Sequence, residues 1–230
     1  MANPKGKIHI AWSPQFAYAI GLIVSDGNLS PDKRHINFTS KDRELVDHFK
    51  KALNIKNKIG IKARGGEKTK KYFVVQFGDV LFCRFLENIG LMCNKSKNLK
   101  SVTLPDEFFN HFIRGLFDGD GSFYSYRDPR WKSSLMFYTS FASASPIFIR
   151  WLQSKITALY GITGHITKAK GSVEQLKFAK RESKIIINNM YQNTVNLYLK
   201  RKHLKIFSTL SIVGLPKKNA RMVKLVDTQA

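Results

Sequence analysis

The sequence predicts an α/β fold of the α+β type, made of two similar modules that each run helix, strand, strand, helix, strand, strand, helix. Three observations carry this. Four sequence blocks recur in the same order, the hydrophobic pattern alternates between helical and strand periods inside each copy, and 230 residues accommodate two fused small units. The modules are expected at residues 1–104 and 105–215. The basic tail, residues 216–230, is poorly patterned and expected to be weakly ordered.

The repeat is legible directly. AIGLIVSDG (19–27) aligns without gaps on IRGLFDGDG (113–121), and NFTSKDRELVDHF (37–49) on SFASASPIFIRWL (140–152). IGIKARGG (59–66) then falls on HITKAKGS (165–172), which pairs Lys62 with Lys168 and Arg64 with Lys170. Finally KSKNLK (95–100) falls on KRKHLK (200–205). Four blocks in fixed order at a period of roughly 95 to 105 residues mark two copies of one module.

Each element follows from local chemistry. Ser13 and Pro14 form an N-cap and first-turn pair, and Phe16, Ala17, Ile20, Leu22, Ile23 and Val24 make the following helix apolar almost all round, so it is buried. Pro105 opens the corresponding helix, carrying Phe108, Phe109, Phe112, Ile113, Leu116 and Phe117. Alternation then gives strands in which Ile36 and Phe38, Ile59 and Ile61, and Phe73, Val75 and Phe77 point inward. In the second copy the strands fall near 121–127, 133–141, 164–170 and 174–181. Amphipathic helices near 42–53 and 146–160 cover the backs of the sheets.

Composition narrows the function classes. The chain is 43% hydrophobic and 12% aromatic, enough for a real core. Its 39 Lys and Arg against 16 Asp and Glu leave a formal charge of +23, which selects a polyanionic partner. No apolar run is long enough to span a membrane, and the N-terminal segment lacks a secretory pattern, so no membrane partner and an intracellular location are expected. Cys83 and Cys93 are the only cysteines, too few for a disulfide framework or a four-cysteine zinc site.

Asp26 and Asp120 each precede a glycine at the end of a buried helix. A carboxylate there meets the negative end of the helix dipole, at a cost of a few tenths to about 1 kcal/mol. Repeating that placement in a chain short of acids points to a divalent cation between them. Gly21 and Gly115 lie five residues earlier, in helix interiors where glycine costs about 1 kcal/mol relative to alanine. Close contact between the two helix backbones explains both glycines, and brings the two aspartates together at a pseudo-twofold axis.

Both nine-residue segments resemble the LAGLIDADG motif of homing endonucleases: each keeps the Gly-Leu core and the final Asp-Gly. Two motifs in one chain resemble the monomeric, pseudosymmetric members. The resemblance implies saddle-shaped antiparallel sheets seated on double-stranded DNA, a central pair of packed helices, and Mg²⁺-dependent cleavage of both strands of the kind used in intron homing. Mn²⁺ is expected to substitute, and Ca²⁺ to support binding without cleavage. The acidic eighth position falls on Asp26 and Asp120. The sixth is Val24 in the first motif and is not expected to bind metal. The family's Gln-Lys pair reads Ser40-Lys41 in one copy and Ser143-Ala144 in the other, which makes Lys41 a one-sided charge-screening residue. Lys97 and Lys202, in the KSK and KRK blocks, are the other candidates, with a plain phosphate contact as the competing reading.

Strand parity assigns the DNA-reading face. The outward set is His35, Asn37, Lys62, Arg64, Lys70, Tyr72 and Gln76 in the first copy, and Tyr138, Ser140, Lys168, Lys170, Gln175, Lys177 and Arg181 in the second. Such groups fit base edges in the major groove, and the unequal lists imply a long, only partly palindromic site. Two alternatives remain at the level of sequence: an intron RNA-splicing maturase, and a non-cleaving DNA-binding protein that reuses the fold.

Overall fold

Ser13 accepts a hydrogen bond from the Phe16 amide at 3.1 Å and Pro14 occupies the first turn, so the first helix, α1 (Pro14–Asp26), starts where its cap chemistry dictates. The computed structural model describes residues 6–64, 67–130, 134–169, 171–192 and 197–213, with backbone alone for residues 64 and 67–70. The tail 216–230 and Lys170 lie outside the described residues.

Strands β1 (Gly27–Leu29), β2 (His35–Ser40), β3 (Gly60–Arg64) and β4 (Glu67–Gly78) form an antiparallel sheet of order β1-β2-β4-β3. Strands β5 (Ser122–Arg127), β6 (Leu135–Ser143), β7 (His165–Lys168) and β8 (Glu174–Phe178) repeat that order as β5-β6-β8-β7. In the first half α2 (Arg43–Leu53), α3 (Val80–Asn88) and the short α4 (Lys95–Asn98) complete the module. The second half has α5 (Phe109–Asp120), α6 (Pro146–Tyr160), α7 (Lys180–Tyr191) and α8 (Lys200–Ile212). Two pseudosymmetric modules of one topology are thus present, as the repeat required.

Pairing registers sort the faces. Ile36, Phe38 and Ser40 stand opposite Phe77, Val75 and Phe73 and look toward the helices. Phe137, Thr139 and Phe141 do the same in the second sheet, beside Phe123, Leu176 and Phe178. Aromatic contacts bind helices to sheets, with Phe38 against Phe49 at 4.6 Å and Phe117 edge-on to Phe141 at 6.1 Å. Each buried Phe contributes about 1.5–3 kcal/mol. The core is continuous through α1 and α5, which pack on each other more extensively than any other pair of elements.

Four expectations need correction. Pro105 precedes a 3₁₀ turn (Asp106–Phe108), and α5 begins only at Phe109. The strand near 174–181 ends at Phe178, so Arg181 lies in the first turn of α7 and not on a strand. Ile61 shares a face with Phe73 but is 61% exposed, because β3 is an edge strand that runs past the core. Lys168 stands opposite Glu174 and shares its face with Ile166 and Leu176, the side of the core. Its counterpart in the first sheet is Ile61, since Ile61 opposes Phe73 as Lys168 opposes Glu174. The block alignment of Lys62 with Lys168 is therefore one residue out of step, and a one-residue slip sends a side chain to the opposite face.

Candidate active site and DNA-facing surface

The site is organised by the contact between α1 and α5. A Cβ on Gly21 would lie 2.1 Å from the Phe112 carbonyl oxygen and 2.7 Å from the Leu116 amide nitrogen. One on Gly115 would lie 2.1 Å from the Tyr18 carbonyl oxygen and 3.2 Å from the Gly21 Cα. No side chain fits at either position, so the backbones touch and the two helices end together. Asp26 and Asp120 are their last residues. A Cβ on Gly119 would stand 3.2 Å from Oδ2 of Asp26 and closer still to Ser25, which places the Asp26 carboxylate against the end of the opposite helix.

A pocket of about 170 Å³ opens beside these ends, lined by Asp120, Ser25, Val24, Lys95, Ser96, Ser143 and Ala144 among others. Lys95 is 6% exposed. Burial lowers its ammonium to about 8, and the nearby charges of Asp120 and Asp26 act against that drop. Lys202 is in the same situation: burial lowers it to about 8, opposed by Asp118, Asp120 and Asp26. Its Nζ donates to the carbonyls of Phe117 at 2.6 Å, Gly119 at 3.0 Å and Gly121 at 2.6 Å. A cation thus caps the C-terminus of α5 and offsets the unfavourable placement of Asp120.

Lys97, by contrast, is exposed. The lysine that matches Lys202 in its lowered ammonium and in its neighbours Asp26 and Asp120 is Lys95, so the basic blocks correspond with a two-residue offset that also places buried Leu99 on buried Ile206. Periodicity could not show this, because one lysine in a short Lys-rich run looks like the next. Lys41 is exposed, with its ammonium 5.7 Å from the ring of Tyr72. The residue after it, Asp42, accepts two hydrogen bonds from Arg201, at 3.0 and 2.7 Å, which pins the Lys41 segment to the first turn of α8 beside Lys202.

A buried polar cluster behind α5 also escaped sequence reasoning. Asp118, sixth in the second motif, is 1% exposed. Its Oδ2 accepts from the Tyr18 hydroxyl at 2.8 Å and the Leu199 amide at 2.9 Å, and burial pushes its carboxyl up to about 6. Arg114 beside it donates to the Leu197 and Met190 carbonyls at 2.9 and 2.7 Å. These bonds join α1, α5, α7 and the start of α8, so Asp118 holds the elements that carry Lys202. Val24 at the corresponding place in the first motif lines the pocket instead.

The LAGLIDADG-like domain family matches residues 13–90 and 107–212, one stretch over each module. The chain belongs to that family. Solved LAGLIDADG structures share its fold. The homing endonuclease I-WcaI bound to its DNA recognition sequence is 13% identical with a TM-score of 0.59, covering 85% of this chain and 88% of that one. A variant of I-DmoI in complex with its target DNA in the presence of Mn is 16% identical at a TM-score of 0.51, covering 80% and 96%. Full-length DUF199/WhiA from Thermatoga maritima is 14% identical at 0.52, covering 95% and 68%. No protein of curated function matches the chain.

In this LAGLIDADG protein the sheet faces turned away from the helices carry most of the expected polar set. His35, Asn37, Gln76 and Lys62 lie on that face of the first sheet. Tyr72 shares it opposite Lys62 but is only 7% exposed. Arg64 and Lys70 belong to β3 and β4 by backbone, and their side chains lie outside the described residues. In the second sheet Tyr138, Ser140, Gln175 and Lys177 share the corresponding face, with Ser140 buried at 3%. Lys168 and Arg181 do not. Sequence parity missed Tyr124 and Tyr126, both exposed on this face and stacked with Tyr138 at 5.1 and 6.3 Å. Their alternation with Phe123 and Ser125 was the available signal. Among the described residues no helix is long and apolar enough to cross a membrane.

Proposed function

We propose that this protein is a sequence-specific endonuclease that hydrolyses both strands of a long, partly palindromic double-stranded DNA site with a divalent metal. The observation that carries this reading is the backbone contact at Gly21 and Gly115, which ends two helices in Asp26 and Asp120 beside a pocket bordered by a buried lysine. Among the described residues no three metal-ligating side chains cluster. Two carboxylates alone suit Mg²⁺, which is usually held by one or two carboxylates with the remaining positions filled by water and substrate phosphate. Asp26 and Asp120 would hold the metal, with Mn²⁺ able to replace Mg²⁺ and Ca²⁺ supporting binding without cleavage.

Bound there, the metal would supply activation of water and charge stabilisation at the phosphodiester. The chain's own groups do the rest. Lys95, buried beside Asp26 and Asp120, and Lys202, whose ammonium donates to three carbonyls at the end of α5, provide positive charge beside the scissile phosphate. Lys41 screens charge on one side only, since Ala144 replaces it on the other. The two modules supply both halves of the site within one chain, so a monomer suffices. The test is incubation with a randomised duplex library and Mg²⁺, followed by sequencing of cut ends. Cleavage at one long motif is expected. Binding to one motif with no cut ends would refute the enzymatic reading.

A further inference from the structure

Cross-strand register lines up three side-chain amides on the DNA-facing side of the first sheet. Asn28 of β1 stands opposite Asn37 of β2, and Asn37 stands opposite Gln76 of β4. Asn28 and Gln76 are exposed and Asn37 is half-buried. Neighbouring strands lie about 4.8 Å apart, so the row spans about 10 Å. Phosphates on one strand of a duplex are about 3.4 Å apart along the axis, so that span covers about three base pairs. The row begins two residues after Asp26, next to the helix ends.

A carboxamide presents a donor beside an acceptor in one plane, which matches the N6 donor and N7 acceptor of adenine in the major groove. Guanine offers two acceptors there, cytosine a single donor, and thymine an acceptor with a methyl group. Among the described residues nothing hydrogen-bonds these three carboxamides. The Asn57 side chain bonds to the Gln76 backbone carbonyl at 2.8 Å, bracing the strand and leaving the side chain available. The corresponding row in the second sheet is Ser122, Ser140 and Lys177. There the two serine hydroxyls bond to each other at 2.7 Å, and Lys177 offers donors only.

We propose that Asn28, Asn37 and Gln76 form a carboxamide row that reads adenines over about three adjacent base pairs in one half-site, a requirement absent from the symmetry-related positions of the other half. This rests on the DNA-binding reading above and adds the base identity. The test is selection of bound duplexes from a randomised pool by the intact chain in Ca²⁺, repeated with Asn37→Ser, which copies the symmetry-related Ser140, and with Gln76→Lys. The wild-type motif should hold A·T pairs at about three adjacent positions on one side. Asn37→Ser should lower the preference at the middle position about 10- to 100-fold, and Gln76→Lys should move its position toward guanine, with the remainder of the motif unchanged. An enriched motif without those A·T pairs, or one that both variants leave intact, overturns the row while sparing the DNA-binding reading. Absence of any enriched motif with the wild-type chain overturns both. Gln76→Ala, at an exposed position, gives a second check on the same base pair.

Discussion

Gly21→Ala adds one methyl group, and its consequence can be worked from the helix contact. In a free helix the change would stabilise by about 1 kcal/mol through propensity. Here the new Cβ would meet the Phe112 carbonyl oxygen at 2.1 Å. An ordinary carbon to oxygen contact is about 3.3 Å. The helices must therefore part by roughly 1.2 Å, and the obstacle is backbone, which cannot rotate aside. Overpacking of this kind costs about 1–3 kcal/mol. For a chain of this length that lowers the melting temperature by about 2–12 °C. The same displacement separates Asp26 from Asp120, and a misplacement of about 1 Å costs about 10²-fold in rate. Thermal melts, duplex binding and cleavage should be measured on one preparation, with Gly115→Ala as the reciprocal variant. A melting temperature at or above wild type with unchanged cleavage would refute the argument from helix contact to paired carboxylates.

Further outcomes follow from the same geometry. Lys95→Met removes the buried charge while keeping volume, and should lower cleavage about 10²- to 10³-fold with binding within a few-fold of wild type. Lys97→Met should leave the cleavage step unchanged, and equal losses in both variants would place the active lysine wrongly. His203, stacked on Tyr198 at 4.4 Å and tilted against Phe207 at 4.3 Å, is held by burial at about 4 against an ordinary 6.5. Between those values the unfolded chain binds a proton that the folded chain does not, so its stability is full above pH 6.5 and is lost as pH falls toward 4. His203→Phe should flatten part of that loss in denaturant midpoints taken at pH 7 and pH 5. An unchanged slope would exclude His203 as a contributor. Tyr18→Phe deprives buried Asp118 of a donor and should destabilise by about 1–3 kcal/mol in equilibrium unfolding, whereas a neutral effect would show that the Tyr18 bond does not hold the cluster.

The repeat made most of the architecture legible, because two nine-residue segments with glycine inside an apolar helix and aspartate at its end admit few explanations. Helices near 42–53 and 146–160 followed from amphipathic spacing and are found at Arg43–Leu53 and Pro146–Tyr160, and strand parity placed Asn37, Gln76 and Tyr138 on their face. Where sequence and structure differ, the sequence signal is short or degenerate. Lys168 sits in an edge strand of four residues, too short for alternation to fix register, and the adjacent Lys62 offers a basic partner one residue out of step with its true counterpart Ile61. Arg181 lies three residues past the end of β8 and shares the parity of Gln175 and Lys177, so only the start of α7 removes it from that face. Lys95 and Lys97 differ only in burial, which α5 and the second sheet impose from far along the chain. The Asp118, Tyr18 and Arg114 cluster joins residues about 70 to 100 positions apart in sequence, beyond the reach of any local pattern.

On the proposed reading Asp26 and Asp120 act in the chemistry and not in the fold. The decisive measurement is cleavage and binding by the Asp26→Asn, Asp120→Asn double variant, on the duplex selected by the wild-type chain in Mg²⁺. Phosphate contacts survive that change while metal ligation is lost, so the variant should bind within a few-fold of wild type and cut neither strand. Cleavage of either strand at the wild-type rate would contradict the assignment.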